Sequence, residues 1–471
     1  MTVHLLESIA FWAAVLVITT GLLQVAIYIA QLAVAGAVLA RKPASVKGSA
    51  LWDHLAGVTP PIALIAPAYN EAATIVESVR SLLSLQYPSF EVIVVNDGSR
   101  DDTLAVLIEA FELAPATRSW EAAVGHKPVR GIYAGRREPR LLVVDKENGG
   151  KADALNAGIN LSRAPFFCAV DADSLLEADA LLRAVQPFVD EPTRMMAVGG
   201  TIRIANGCKV RSGRVVEVGL PRRLLPLLQT VEYLRAFLMA RLAWSHVGAL
   251  TVISGAFGIF RRSTAIEVGG YTHGTVGEDL EIIVKIHRCK IEQGEDYRIA
   301  FIPEPVCWTE APESLRVLAR QRIRWQRGAL ETFFAHRRML FNPRYGRVGT
   351  LAFGNMLLVD VLGPVIEVLG YVLIPAFWAL GALSTDYLLA FLAITFTFGV
   401  FVSVGSLILE EIEFRRFPRP RDLLVLTSAA VMENFGYRQL NNFWRIVGTW
   451  RFLRGTQGSW GTMTRTGFRK G

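Results

Sequence analysis

Residues 61–103 read PIALIAPAYNEAATIVESVRSLLSLQYPSFEVIVVNDGSRDDT. Residues 61–66 form an unbroken apolar run, and residues 90–95 (FEVIVV) form a second. Between them, 71–85 carries Ile75, Val79, Leu82 and Leu83 at helical spacing, and 101–113 predicts another helix. The alternation continues through 141–144 (LLVV), 151–161 and 166–170 (FFCAV). Strands that are apolar throughout are covered on both faces, which predicts an α/β fold with a mostly parallel sheet between helices. Ligands of such sheets bind beyond the carboxyl ends of the strands. The polar residues at those ends are therefore the ones to weigh.

The first run ends in Pro67-Ala68-Tyr69-Asn70-Glu71, and the second in Asn96-Asp97-Gly98-Ser99 followed by Arg100-Asp101-Asp102-Thr103. The run at 166–170 ends in Asp171-Ala172-Asp173. Carboxylates at neighbouring strand ends gather negative charge, which is tolerable only beside a cation or a hydrogen-bonding ligand. Asp-x-Asp suits Mg²⁺ or Mn²⁺, hard ions that need few protein oxygens and keep positions for phosphate. Taken singly, the Asp-x-Asp is most often a solvated loop and Asn-Asp-Gly-Ser a plain turn.

Residues 146–156 read KENGGKADALN, a glycine pair before a helix that opens on Lys151. That arrangement suits a phosphate at a helix N-terminus. No GxxxxGK[ST] is present and no GxGxxG follows the first strand, so ATPase and dehydrogenase readings lose their support. Gly277-Glu278-Asp279 sets an acidic pair before an apolar helix, where capping is the ordinary role. Gln321-Arg322-Ile323-Arg324-Trp325 reads blandly as a basic helix on a membrane surface. That explains its arginines but not its Gln and Trp.

At 52% hydrophobic and a mean hydropathy of +0.34 the chain is too apolar for an ordinary soluble protein, while 20% charged residues is too many for a pure transporter. The two properties are segregated. Residues 9–40 and 387–409 contain no charged side chain, apolar sequence returns near Leu351, and each free stretch is long enough to cross a bilayer. A secretory signal fits 9–40 poorly, because the stretch is long and Arg41-Lys42 follows it. Arg41, Lys42 and Lys47, then Arg337 and Arg338, then Arg415, Arg416, Arg419 and Arg421 abut the apolar segments, which places them and the domain in the cytosol. A net charge of +8 agrees with anionic lipid and a diphosphate as partners. No Lys/Arg stripe interleaved with aromatics is present, so no nucleic-acid partner is expected. Cys168, Cys208, Cys289 and Cys307 lack CxxC pairing and are expected as reduced thiols.

In their order, PAYNE, NDGS, ENGGKADALNAG, DAD, GED and QRIRW resemble the inverting family-2 glycosyltransferases of GT-A fold. The likeness runs from about residue 60 to 330 and is greatest to the processive membrane synthases of cellulose, chitin, hyaluronan and poly-N-acetylglucosamine. Gln321, Arg324 and Trp325 match the Q-x-x-R-W of that branch. Gly458-Ser459-Trp460-Gly461-Thr462 is similar to its Trp-Gly-Thr gating loop, departing at Met463, with Arg465 as the nearest substitute for the basic residue expected there.

The resemblance implies a donor site for a UDP-sugar, UDP-GlcNAc or UDP-Glc, lined by Ala66, Tyr69, Glu71, Asp97, Lys151 and Asp171, with Trp460 closing over it. It implies Mg²⁺ or Mn²⁺ held by Asp173 with Asp171 beside it. Asp279 would be the general base, Arg324 would steady the departing diphosphate, and Trp325 with Gln321 would place the acceptor sugar. The acceptor would be a growing glycan or a lipid, in contact with membrane lipid and with partner proteins of secretion. A non-processive enzyme adding one sugar to a lipid is the alternative within this chemistry, and a receptor or transporter that only binds nucleotide is the alternative outside it.

The expected organisation is an N-terminal transmembrane helix over 1–42, a linker over 43–60 and a cytosolic GT-A domain over 61–345 that ends in interfacial helices. Transmembrane and interfacial helices follow over 346–455, then a gating-like tail over 456–471. No room for a PilZ-like domain is expected at the C-terminus. A multi-pass protein of the cell (inner) membrane is implied. Glu433, Asn434, Arg438, Gln439, Asn441, Asn442 and Arg445 are expensive in lipid, which predicts a broken hairpin or interfacial helices over 422–455.

Overall fold

The computed structural model describes residues 2–41, 48–55, 57–211, 213–414 and 419–455. They fall into two compact units, a sheet-based one within 42–221 and 245–311 and a helical one within 1–41, 222–244 and 312–457.

Among the described residues the sheet unit contains twelve strands. They are β1 (Ile62–Ala68), β2 (Phe90–Asn96), β3 (Leu113–Pro115), β4 (Val129–Gly135), β5 (Leu141–Lys146), β6 (Phe166–Ala169), β7 (Leu175–Leu176), β8 (Met195–Ile204), β9 (Lys209–Arg211), β10 (Arg214–Glu217), β11 (Gly258–Arg261) and β12 (Arg298–Thr309). Ten of them make one sheet in the order β3-β4-β5-β2-β1-β6-β11-β8-β12-β7, and β9 pairs with β10 separately. The block β5-β2-β1-β6 is parallel, as is β8 with β12, while β3, β4, β7 and β11 pair antiparallel. The sheet is thus mixed, with the predicted parallel pairing concentrated where both faces are buried. Chain order reverses at β1, which has β2 on one side and β6 on the other, and a crevice opens at such a switch point.

The helix Lys151–Leu161 is buried at every position from Ala152 onward. Its polar residues Asp153, Asn156 and Asn160 share one face, and each is spent on a loop. Asn156 Nδ2 donates to the Tyr271 carbonyl (3.0 Å) and its Oδ1 accepts the Tyr271 N–H (2.8 Å). Asn160 pairs in the same two-way manner with Val124. Two distant loops are therefore sewn to this helix.

Three departures from the sequence reading are local. The helix Gly48–Leu55 lies inside the expected linker. The helix after β1 begins at Ile75 rather than residue 71, because Glu71 starts a turn that receives the Thr74 and Ile75 N–H groups. The next helix ends at Phe111, and Glu112 with φ 49° turns the chain into β3.

In the helical unit, Ser8–Arg41, Val348–Ala379 and Thr385–Phe414 are long and apolar enough to cross a membrane. Ala14, Val17, Ile374 and Phe391 form a core among them. Wide turns over Met356–Leu362 precede Pro364, which has no N–H to give, and the helix continues. The 422–455 stretch forms two helices, Pro420–Met432 and Arg438–Leu453, separated by a kink at Phe435 and Gly436.

The helix Leu315–Ala335, expected with the catalytic domain, clusters with the apolar helices, as does Leu224–Tyr233. Buried polar contacts explain this. Arg322 pairs with Glu232 (2.7 Å), which also accepts the Tyr437 hydroxyl (2.6 Å), and Arg235 reaches Glu433 and Ser403.

Candidate active site

Past the end of β1 the chain enters a left-handed turn at Asn70, with φ 57°. Its N–H donates to Ser99 Oγ (3.0 Å) and its Oδ1 accepts the Arg100 N–H (2.8 Å). The Glu71 N–H donates to Thr103 Oγ1 (2.9 Å), and the Ala72 N–H to Asp101 (3.1 Å). The PAYNE and NDGSRDDT motifs are thereby one structure. Burial opposes the Asp101 charge, but hydrogen bonds from Thr103 and Ala72 outweigh it and hold this carboxyl below its ordinary range. Ala66 is buried on β1 opposite Val94, Tyr69 is exposed, and Glu71 is half-buried.

Asp97, just past β2, is spent internally. Its carboxylate accepts from Lys146 Nζ (2.6 Å), from the Gly149 N–H (3.0 Å) and from the Gly150 N–H (2.7 Å). Lys146 is wholly buried and also pairs with Asp153, which accepts the Lys127 N–H (3.0 Å) and lies 3.3 Å from His273 Nδ1. Gly98 permits the close approach: with φ 64°, a Cβ there would stand 2.8 Å from the Asn148 nitrogen. Asp97 therefore shapes the Gly149-Gly150 loop, and the negative charge expected at this strand end is met by a lysine of the protein.

Lys151 opens the following helix and points elsewhere. Its ammonium lies 2.5 Å from Asp171 Oδ1 and 3.5 Å from Glu278 Oε1. Burial opposes its charge, but Asp171 and Glu278 more than compensate and hold the lysine pKa above its ordinary value. Burial pushes the Glu278 carboxyl up, Lys151 pulls it down, and neighbouring Asp279 pushes it up again, with a net rise. Asp279 stands in the first turn of the helix Glu278–Gln293, half-buried, with Oδ2 accepting the Gly255 N–H (3.2 Å) and Oδ1 the Leu280 N–H (2.9 Å). Asp173 is 9% exposed. Buried Tyr271 closes this cluster, its hydroxyl pKa raised first by burial and then by Glu278 and Asp279. Lys151, Asp171, Glu278 and Asp279 thus meet from three stretches of sequence.

Gln321, Arg324 and Trp325 belong to the helical unit, on the helix whose N-cap Ser314 accepts the Val317 N–H (3.4 Å). Gln321 is buried and its Oε1 finds no hydrogen-bond partner among the described residues. Trp325 is 43% exposed and carries the Arg322 guanidinium 4.4 Å from its ring centroid, a cation–π contact. Arg324 is half-buried. Trp460 and its tail, with Lys42, Lys47, Arg415 and Arg416, lie outside the described residues.

Gly255 and Tyr271 escaped the motif reading, Lys146 and Asp153 entered it without a role, and Glu278 entered it only as a cap. The signal for Lys146 was a lysine closing the apolar strand LLVVDK; Gly255 had none.

The carboxylates suit a metal that arrives with its own ligands. Asp171 and Asp173 supply two oxygen-bearing side chains, and no group of three or more His, Cys, Asp or Glu among the described residues could hold a metal by itself. Mg²⁺ is commonly bound in that way, by one or two carboxylates plus substrate phosphates.

A family profile described as glycosyltransferase like family 2 matches residues 60–328. The poly-beta-1,6-N-acetyl-D-glucosamine synthase of Staphylococcus epidermidis is 30% identical over 271 residues, 57% of this chain and 55% of that protein. The protein of that name from Staphylococcus aureus (strain COL) is 29% identical over 280 residues, 59% and 56% of the two chains. The match therefore spans about half the length of these curated relatives. A mannosyltransferase of Pyrobaculum calidifontis, solved with GDP-Man and Mn²⁺, aligns over 96% of this chain and 99% of its own with a TM-score of 0.56. At 19% identity that likeness concerns the fold alone.

Proposed function

Because the chain belongs to glycosyltransferase-like family 2, we propose that it transfers a sugar from UDP-GlcNAc to a growing β-linked glycan at the cytosolic face of a membrane. The observation that carries this reading is the meeting of Lys151, Asp171, Glu278 and Asp279, which gathers a phosphate-binding lysine, an Asp-x-Asp carboxylate and a base. UDP-GlcNAc is preferred over UDP-Glc because the relatives at about 30% identity are named as poly-N-acetylglucosamine synthases.

The reaction is a direct displacement. The acceptor hydroxyl oxygen bonds to the anomeric carbon, the bond from that carbon to the diphosphate oxygen breaks, and UDP departs. Asp279 takes the hydroxyl proton; a positioned base contributes on the order of 10²–10⁴-fold. The Gly255 and Leu280 N–H groups fix its carboxylate. Asp171 and Asp173 would hold Mg²⁺ or Mn²⁺, which when bound neutralises charge on the diphosphate. Lys151 stabilises the same oxygens, and Arg324 is assigned to the departing diphosphate. Trp325 offers an exposed ring for the acceptor sugar, with Gln321 helping to place it. Asp97 serves the donor site indirectly, by shaping the Gly149-Gly150 loop. One displacement inverts the centre, so an α-linked donor gives a β-linked product.

The apolar helices would anchor the enzyme and pass the glycan across the membrane. The test is detergent-purified protein offered a panel of UDP-sugars with Mg²⁺ or Mn²⁺, following UDP release and product length. UDP-GlcNAc is expected to be consumed into long products. Asp279→Asn should keep UDP binding and lose at least ~10²-fold in turnover. Near-normal turnover in that variant would remove Asp279 as the base.

A further inference from the structure

The ammonium of Lys151 sits on Asp171 Oδ1, one of the carboxylate oxygens that the proposed metal would draw on. It touches Oδ1 at 2.5 Å and stands 3.5 Å from Glu278, so it balances both carboxylates at once. A divalent ion coordinates carboxylate oxygen at roughly 2.0–2.2 Å and cannot share that oxygen closely with a second cation. The Asp171 side chain is 31% exposed, so an ion from solvent can reach it. What is missing for the ion is ligands, since no described group of three or more His, Cys, Asp or Glu could hold it.

Resting on the metal and diphosphate assignments above, we propose that Lys151 is a placeholder cation. It holds Asp171 and Glu278 in the nucleotide-free protein and yields Asp171 to a divalent ion only when a diphosphate arrives to receive its ammonium. The diphosphate supplies both things the exchange lacks, further oxygen ligands for the ion and a new counter-charge for the lysine. Metal and nucleotide binding are then coupled, each raising the affinity for the other by the same factor. The coupling keeps the carboxylates occupied without a metal and favours loading of the ion together with the donor.

Gly255 makes the placement reachable by a second route. A Cβ at this position would stand 2.7 Å from Lys151 Nζ, the far end of a flexible side chain. Gly255→Ala therefore pushes the ammonium aside while keeping its charge, and alanine retains the N–H that Asp279 accepts.

The experiment measures Mn²⁺ binding to the detergent-purified full chain by loss of the free-ion electron paramagnetic resonance signal, without nucleotide and with saturating UDP. For the unaltered protein, UDP is expected to tighten Mn²⁺ binding by at least ~10-fold. Lys151→Met should tighten nucleotide-free Mn²⁺ binding by at least ~10-fold and shrink the effect of UDP to under ~3-fold. Gly255→Ala should move both quantities in the same direction with an unchanged circular dichroism spectrum. If the unaltered protein binds Mn²⁺ with UDP while Lys151→Met binds it no tighter without nucleotide, the placeholder role is overturned and the metal assignment stands. If the unaltered protein binds no Mn²⁺ even with UDP, the Asp171/Asp173 assignment fails and takes the placeholder role with it.

Discussion

Two lysines, five residues apart, sit between pairs of carboxylates, and they have opposite fates. Lys146 is sealed: its side chain is 0% exposed, with Asp97 at 4% and Asp153 at 3%. Lys151 is 9% exposed, but its partner Asp171 is 31% exposed and the ammonium also feels the charge of Asp279, the proposed base. The sealed cluster is finished, with backbone N–H groups of Gly149, Gly150 and Lys127 taking up its remaining oxygens. The open cluster has a face that a ligand can reach. A lysine between two carboxylates is therefore a scaffold or a candidate site according to whether water, and hence a ligand, can reach the carboxylate.

The largest expected effect breaks the sealed cluster. Lys146→Met leaves two buried carboxylates without their cation, which costs roughly 3–5 kcal/mol when one partner of a buried pair is removed. A large drop in the thermal unfolding temperature of the detergent-purified chain is expected. An unchanged midpoint would show the cluster to be dispensable.

The same change in the open cluster should leave the fold and remove the chemistry. In Lys151→Met, Asp171 can regain water and Glu278, already pushed toward its neutral form, can protonate. Turnover should fall by about 10²-fold, the scale of losing one group that stabilises transition-state charge, with an unfolding temperature near that of the parent. Equal losses of stability in both variants would erase the distinction between the two lysines.

A smaller effect concerns a buried group that avoids charge altogether. His287 is 2% exposed, its Nε2–H donates to the Leu250 carbonyl (2.7 Å), and its Nδ1 accepts the Tyr297 hydroxyl (2.7 Å). Burial lowers its pKa to about 4, against the opposing pull of the Leu250 hydrogen bond. The folded chain keeps the ring neutral while the unfolded chain protonates it near pH 6.5, so its stability contribution is intact above that pH and lost as pH falls toward 4. At pH 5 the loss is roughly 2 kcal/mol. Urea midpoints between pH 7 and 5 should fall less steeply in His287→Gln; an equal slope would exclude His287 as the titrating group.

How much of this was legible depended on distance along the chain. The strand–helix alternation, the motifs at the strand ends and the apolar spans are local patterns, and each falls on the element expected. The mixed edges of the sheet were less visible, since β3 and β7 are two or three residues long and leave little periodicity to read. The role of Lys146 was missed because its partnership with Asp97 depends on strand register: β2 pairs with β5 so that Asn96 meets Asp145, which sets the next residues side by side. The motif Gln321-Arg322-Ile323-Arg324-Trp325 was legible, but the guanidinium that settles on Trp325 is that of Arg322.

Motif order and composition are enough to identify a family-2 glycosyltransferase sheet among apolar helices, because residue types at fixed short spacing survive without coordinates. Which acidic residues remain available for chemistry is another matter. Asp97, Asp153, Asp171 and Glu278 are equivalent as letters, and only packing decides which are sealed around a lysine and which keep a face toward solvent. The physical reason is that a carboxylate's role depends on its solvation and nearest charges, and both are set by groups brought together from far apart in the chain.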